Sequence, residues 1–173
     1  MKMQKQVQKS SLKKIKGYTL IELSIGIAIV ALLVIGALAA LPGVMFNNQA
    51  KDLNTEVNTI RSEVVNWKGY GRASFDTISI DKLCTATRKA LPTGICGASD
   101  DGTAANPFGG DYSVSVNATN KGRFDVAVTG VPADKLDILA DQFAPNTADA
   151  CESATGCSTV VASGTTITLT YGG

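Results

Sequence analysis

A single carboxylate, Glu22, lies at the start of a long apolar segment and is the side chain with the clearest chemical consequence. Residues 23–46 carry no charge, and Ser24 supplies their only hydroxyl group. A carboxylate at the centre of a bilayer costs about 2.5–3.5 kcal/mol, so a nearby positive group would stabilise the segment. Cleavage between Gly17 and Tyr18 would create one, because the new α-amino group on Tyr18 would lie one helical turn from Glu22. The alternative is that Glu22 lies at the membrane surface and reaches water without a partner.

The other residues whose chemistry can be predicted from the sequence are the four cysteines: Cys84, Cys96, Cys151 and Cys157. An even number, all beyond the apolar segment, indicates disulfide bonds formed in an oxidising compartment. No Cys-x-x-Cys pattern occurs, which argues against a zinc site or thioredoxin-like chemistry. Four cysteines allow three pairings. We favour the local pairs Cys84–Cys96 and Cys151–Cys157, with free buried thiols as the alternative.

No arrangement of residues predicts catalysis, a metal or a cofactor. The chain has no histidine, which removes the commonest general base and metal ligand, and the serines therefore have no histidine partner. Asp100, Asp101 and Gly102 resemble the start of a calcium loop but lack its other ligands. Asn117 begins a glycosylation sequon, yet it falls inside a predicted strand, where a structural role is favoured.

The charge distribution divides the chain into a basic N-terminal part and an acidic remainder. Residues 1–17 hold six of the 16 basic residues and none of the 15 acidic ones. The acidic balance of the remainder argues against nucleic-acid binding by the folded part. Residues 23–46 would span about 36 Å as a helix, which exceeds the ~30 Å hydrocarbon core of a bilayer. The lysines should keep the N-terminus in the cytoplasm and place the chain after residue 46 outside.

The apolar segment does not have the form of a cleaved secretory signal. A signal peptide has a shorter apolar core, followed by a cleavage site made of small residues. Here the small residues at 38–40 lie inside the apolar segment, whereas Gly17 lies before it. Cleavage after Gly17 would remove the basic leader and leave the spanning helix attached to the protein.

Residues 16–23, with the sequence KGYTLIEL, resemble the N-terminal signature of type IV prepilins and related pseudopilins. The resemblance implies cleavage by a prepilin peptidase between Gly17 and Tyr18 and methylation of the new amine on Tyr18. It also implies that Glu22, with Thr19 and Leu20 of the same motif, acts in filament assembly.

Three features resemble the type IVb branch of this family. The leader of 17 residues is long, the first mature residue is Tyr18, and residues 106–112 (NPFGGDY) resemble a stretch that opens the sheet in some type IVb pilins. The resemblance implies the pilin fold, in which a long N-terminal helix packs on an antiparallel sheet. It further implies an inner-membrane precursor that becomes part of an extracellular helical filament of identical subunits. Its partners would be the prepilin peptidase/N-methyltransferase and the inner-membrane assembly machinery.

The predicted organisation has three parts. Residues 1–17 form a cleaved leader, residues 18–46 the membrane and assembly half of the helix, and residues 47–173 the outer half of the helix plus a head domain. Pro42 and Gly43 are predicted to interrupt or kink the helix, since proline cannot donate the backbone hydrogen bond of a helix interior.

Beyond Pro42 the helix is predicted to resume with one apolar face. That face comprises residues three or four apart: Leu53, Val57, Ile60, Val64 and Trp67. Gly69 and Gly71 mark its predicted end. We expect the apolar face to pack against the head domain rather than against a partner coiled coil, since only about two heptads are present.

The head domain is predicted to be α+β. Alternating apolar residues predict three strands, at residues 112–117, 123–129 and 165–171. A turn is predicted at 120–122 and a short helix from Pro132. Residues 69–111 are predicted to be an irregular loop with short pieces of structure, and residues 144–164 are predicted to be a loop.

The preferred function is a structural subunit of a type IV pilus, with a major pilin favoured. The alternatives are a minor pilin, a type II secretion pseudopilin, or a membrane-anchored exported binding domain or enzyme that keeps its leader. Abundance in fibres would separate the first two from a major pilin, and an intact N-terminus would indicate the last.

Overall fold

The structure, a computed structural model, describes residues 18–69, 73–85 and 91–172. The predicted leader, including Gly17, and the predicted helix end at Gly71 lie outside the described residues. The chain divides into two compact units, the first ending at Gly43 and the second beginning at Val44. The predicted division into residues 1–17, 18–46 and 47–173 stays a prediction.

Helix α1 runs from Leu20 to Lys68 and contains Pro42. The predicted interruption at Pro42 and Gly43 is therefore not present as a gap in the helix, although proline still cannot donate a hydrogen bond to the Leu38 carbonyl. A kink at this point stays a prediction. The helix is long and apolar enough to cross a membrane, by length and composition.

The outer part of α1 buries the predicted apolar face in the core of the second unit. Trp67 is half-buried against this core. The other four residues of the face are fully buried: Leu53, Val57, Ile60 and Val64. The helix ends as predicted, because Gly69 adopts a φ of +54° and donates its N–H to the Val65 carbonyl at 3.2 Å. Many helices end in this way, with a glycine in the left-handed conformation directly after the last turn.

The second unit contains a four-stranded antiparallel sheet with the order β1-β2-β4-β3. The strands are β1 (Tyr112–Val116), β2 (Arg123–Val128), β3 (Val160–Ser163) and β4 (Thr166–Gly172). Alternate residues of β2 and β4 face the core, as the period of two predicted. Strands β1, β2 and β4 were predicted to within about one residue at each end.

Strand β3 was missed, because residues 144–164 were predicted to be a loop. Val160 and Val161 form too short an apolar run to reveal a strand by alternation. The strand exists because it pairs with β4, where Val160 lies opposite Leu169. Gly164, with a φ of +62°, makes the tight turn that brings the two strands together.

The described part of the head also contains three short α-helices: α2 (Ile80–Thr85), α3 (Thr93–Cys96) and α4 (Leu136–Phe143). Single 3-10 turns at Ala133–Lys135 and Ala144–Asn146 flank α4. Helix α4 buries the apolar side that was predicted: Leu136, Leu139, Ala140 and Phe143. Disulfide bonds join Cys84 to Cys96 and Cys151 to Cys157, with Cα atoms 5.5 and 5.9 Å apart. These are the two local pairs favoured from the sequence.

Asn117 lies one residue beyond β1, so its predicted place inside a strand was wrong. Its side-chain amide donates to both carboxylate oxygens of Asp125, at 3.0 and 3.2 Å. Its side-chain carbonyl accepts the backbone N–H groups of Thr119 and Asn120, at 3.2 and 3.0 Å. The side chain of Asn117 therefore orders the turn between β1 and β2.

Candidate processing and assembly site

The N-terminus of α1 is closed by reciprocal hydrogen bonds between Thr19 and Glu22. The Thr19 backbone N–H and hydroxyl donate to the same carboxylate oxygen of Glu22, at 2.9 and 3.1 Å. The Glu22 backbone N–H donates to the Thr19 hydroxyl oxygen at 3.3 Å. Since the helix begins at Leu20, Thr19 is the N-cap and Glu22 the third helical residue. The pair is therefore a capping box, which satisfies backbone donors that a helix otherwise leaves unpaired.

The sequence carries a local signal for this capping box. A threonine followed three residues later by a glutamate, just before an apolar run, is its usual pattern. The resemblance assigns Thr19 and Glu22 to assembly without predicting a contact between them, and the structure brings them into direct contact. The predicted pairing of Glu22 with an amine on Tyr18 stays a prediction, because the uncleaved chain has an amide nitrogen there and Gly17 lies outside the described residues.

The surface around this capping box is apolar and exposed. Tyr18 and Leu20 are 90% and 88% exposed. A recess of about 530 Å³ runs along one side of the helix from Tyr18 and Glu22, past Gly26, to Ala31. Glu22 is the only charged residue between positions 18 and 50. A surface of this kind needs lipid or another apolar surface to cover it.

Packing of α1 against the head begins at Phe46. The Phe46 and Phe108 ring centroids are 6.0 Å apart, and the Lys135 ammonium lies 5.7 Å from the Phe46 ring. Gln49 adds a hydrogen bond of 2.8 Å to the Pro107 carbonyl. Within the first unit, a Cβ added at Gly43 would meet nothing within 4 Å. The predicted kink residues, Pro42 and Gly43, thus precede in sequence the first residue of α1 that contacts the head, Phe46.

Residues 106–112, noted for their resemblance to type IVb pilins, form a hydrogen-bonded turn that leads into β1 at Tyr112. Asn106 is buried, and its side-chain amide donates to the Thr129 carbonyl at 2.8 Å. The Asn106 side-chain carbonyl accepts the Phe108 and Gly110 N–H groups at 2.9 and 3.1 Å. A Cβ at Gly110 would lie 2.2 Å from the Thr129 carbonyl oxygen. Only glycine fits at that position, so the close approach of the Thr129 carbonyl explains why residue 110 is a glycine.

The acidic tripeptide at 100–102 is a turn in the structure. The Thr103 hydroxyl and backbone N–H donate to one Asp101 oxygen at 2.5 and 3.1 Å. The hydrogen bond from the Thr103 side chain lowers the pKa of the Asp101 carboxyl. Across residues 18–69, 73–85 and 91–172, no group of three or more potential metal ligands is found.

A polar cluster ties the second disulfide loop to the sheet. Asp149 accepts hydrogen bonds from the Ser158 hydroxyl at 2.7 Å and from the Arg123 guanidinium at 2.9 Å. The Ser158 hydrogen bond, followed by that of Arg123, lowers the pKa of the Asp149 carboxyl. The Ala154 N–H donates to Asp141 on α4 at 2.8 Å. The loop that carries Cys151 and Cys157 is therefore anchored to β2 at its base and to α4 at its middle.

Comparison with known proteins supports the assignment of the N-terminus. A family model described as the prokaryotic N-terminal methylation motif matches residues 12–38. No curated protein and no solved structure matches the chain. The matched residues include the Gly17–Tyr18 bond and both members of the capping box. The motif implies a prepilin-type substrate of a pilin or pseudopilin system and its assembly into a pilus-type filament. The chain thus joins a prepilin-type N-terminal methylation motif to an α+β, pilin-like fold.

Proposed function

We propose that the chain is a structural subunit, specifically a major pilin, of a type IVb-like pilus. The observation that carries the proposal is the capped N-terminus of α1, where Glu22 is the sole charge of an exposed apolar surface inside a methylation motif. An apolar helix of this length suits storage of the subunit in the inner membrane. The disulfide-bonded head suits an oxidising space outside the cytoplasm.

Processing would change the charge next to Glu22. A prepilin peptidase would cut between Gly17 and Tyr18, remove the six leader lysines and convert the Tyr18 amide into an amine, which is then methylated. The capping box holds the Glu22 carboxylate at the N-terminal end of the helix, on the backbone N–H of Thr19. The carboxylate is therefore positioned one residue from the new positive charge. Neutralisation within the subunit or between neighbouring subunits would offset the cost of burying Glu22.

Assembly would then follow from burial of the apolar surface. A subunit that leaves the bilayer must cover the exposed side chains of residues 18–39, and the helices of identical subunits offer a matching apolar surface. Pairing of Glu22 with a Tyr18 amine of a neighbour would favour one axial register, because other registers leave a buried charge unpaired. Leu20 would contribute to the same contact through its exposed side chain. The inner-membrane assembly machinery would supply the work of extraction, and the final location would be an extracellular pilus.

Mass spectrometry of the N-terminal peptide, on protein from cells and from sheared surface fibres, tests this proposal. We expect a peptide that begins at Tyr18 with one added methyl group, in a protein that dominates the fibre preparation. A processed protein present only in traces would instead indicate a minor pilin or a pseudopilin, which share the motif. A peptide beginning at Met1 would overturn the proposal and leave a membrane-anchored exported domain.

A further inference from the structure

The outer part of α1 is bordered by two polar grooves of different charge, one on each side of Thr55. One groove, of about 450 Å³, lies between α1 and the end of α4, and we call it the basic groove; its lining includes Asn47, Lys51, Asn54 and Gln142. The other, of about 400 Å³, lies between α1 and the turn before β1, and we call it the acidic groove; its lining includes Gln49, Asp52, Glu56 and Pro107. Both grooves belong to the second unit.

The charges of these grooves are not neutralised by their neighbours on the helix. Lys51 is exposed, and the residues three or four positions away that share its groove, Asn47 and Asn54, are uncharged. No ion pair to the Lys51 ammonium or to the Asp52 carboxylate is found in the described part of the chain. Lys51 and Asp52 are adjacent in sequence and so do not face each other on a helix.

The acidic groove holds two carboxylates of like charge. Asp52 and Glu56 are four residues apart, a spacing at which like charges on a helix destabilise it. Glu56 is held in place by the Tyr112 hydroxyl at 2.5 Å, whereas Asp52 is exposed. The groove therefore presents one fixed and one free carboxylate, and a cation placed between them would relieve their repulsion.

We propose that the basic groove of one copy docks against the acidic groove of a second copy, with the Lys51 ammonium between Asp52 and Glu56 of that copy. This inference rests on the proposed filament function and identifies a contact between its subunits. Two different surfaces that meet in this way form a head-to-tail contact, which generates an open filament when the rotation does not close into a ring. Parallel helices would need an axial offset of only about 1.5–7.5 Å to align the charges, at about 1.5 Å per residue.

Charge exchange within the full-length protein tests the contact. The variants are Lys51→Glu, Asp52→Lys and the double variant that carries both, with Glu152→Lys in the second disulfide loop as the charge-reversal control. Asp52 is used rather than Glu56, because Glu56 also holds Tyr112 in the fold. For each variant, the yield of sheared fibres is measured together with the amount of processed protein in the membrane.

We expect each single variant to lower the fibre yield about tenfold, because two like charges then meet at the contact. The double variant should raise the yield above that of either single variant, because the introduced carboxylate at position 51 would then meet an ammonium at position 52 as well as the unchanged Glu56, and Glu152→Lys should leave the yield unchanged. Unchanged fibre yield in both single variants, or no recovery in the double variant, would overturn the inference. Failure of the proposed function has a different signature, since the wild type itself would then be only a trace component of fibres or would retain its leader.

Discussion

The Tyr112 hydroxyl donates a hydrogen bond of 2.5 Å to the Glu56 carboxylate and so ties the edge strand β1 to helix α1. Tyr171, on β4, is also buried in the core, yet its hydroxyl is the one fully buried side-chain polar atom in the described residues that has no hydrogen-bond partner. The Tyr171 ring contacts Phe124 and the Arg61 guanidinium instead, at 5.7 and 5.1 Å. These two tyrosines offer a matched comparison of satisfied and unsatisfied hydroxyl groups.

Replacement of each tyrosine by phenylalanine should change stability in opposite directions. Tyr112→Phe should lower the free energy of unfolding by about 1.5–3 kcal/mol, because a hydrogen bond to a charged group is lost. Tyr171→Phe should raise it by about 1 kcal/mol, because a buried hydroxyl without a partner is removed while the ring packing stays. Denaturant unfolding of the full-length protein in detergent measures both. A larger loss in Tyr171→Phe than in Tyr112→Phe would contradict this account of the two sites.

Alkaline pH should destabilise the head. Burial raises the pKa of Tyr171 to about 12. Burial, with the hydrogen bond to Glu56, raises the pKa of Tyr112 well above its ordinary value. A tyrosine in the unfolded chain has a pKa of about 10, so above pH ~10 the unfolded state loses its phenolic protons first. The stability from these two groups is therefore complete below pH ~10 and is lost as the pH rises, by about 1.4 kcal/mol per pH unit for each.

The alkaline effect can be measured from unfolding curves at pH 9, 10, 11 and 12. Tyr171→Phe should lose one of the two contributions and so show a shallower decline above pH ~10 than the wild type. The same decline in both proteins would show that Tyr171 is not the source.

Glu22→Gln separates the charge of Glu22 from its hydrogen bonds. Glutamine can take the glutamate's place in a capping box, so the helix start should persist while the negative charge is lost. We expect normal membrane insertion but no fibres, because the Tyr18 amine would then be buried in the assembly without a counter-charge. Membrane fractionation and electron microscopy of sheared material provide the readout. Normal fibres from this variant would contradict the proposed role of the Glu22 carboxylate in assembly.

Thr19→Val is the complementary change, since it keeps Glu22 charged and removes the hydroxyl of the cap. Loss of an N-cap costs about 1 kcal/mol, which corresponds to roughly a fivefold change in an equilibrium constant. Amide hydrogen exchange of the first turn, measured in detergent, should therefore become about fivefold faster. Thr19→Ser retains the hydroxyl and is the matched control, and it should exchange like the wild type. Equal exchange in Thr19→Val and Thr19→Ser would argue that the cap is not formed in solution.

The two disulfide bonds should differ in their contribution to stability and in their accessibility. Closing a loop between Cys84 and Cys96 stabilises by about 3 kcal/mol in the chain-entropy treatment, and the shorter loop between Cys151 and Cys157 by about 2 kcal/mol. Cys84 and Cys96 are each 1% exposed, whereas Cys151 is only partly buried. Mild reductant should therefore open Cys151–Cys157 first, as alkylation and peptide mapping would reveal. Earlier labelling of Cys84 would be the opposite outcome.

Much of the fold could be predicted from local patterns. The apolar face of α1 from Leu53 to Val64, the alternation in β1, β2 and β4, and the buried side of α4 each follow from burial of every third or fourth, or every second, residue. The two cysteine pairs are close in sequence, and that proximity made them the favoured pairings. In each case the information lies within one segment of about 5 to 15 residues.

The sequence by itself determined the match to the N-terminal methylation motif and the predictions for processing, because the basic residues, the Gly17–Tyr18 bond, Glu22 and the apolar segment are contiguous. The Thr19–Glu22 capping box was equally local. Only the tertiary structure decided that residues 160–163 form a strand, that Glu56 holds Tyr112 56 residues away, and that Lys51 and Asp52 face separate grooves. These features depend on contacts between segments that are distant in sequence. Such contacts cannot be predicted from the periodicity of apolar residues within either segment.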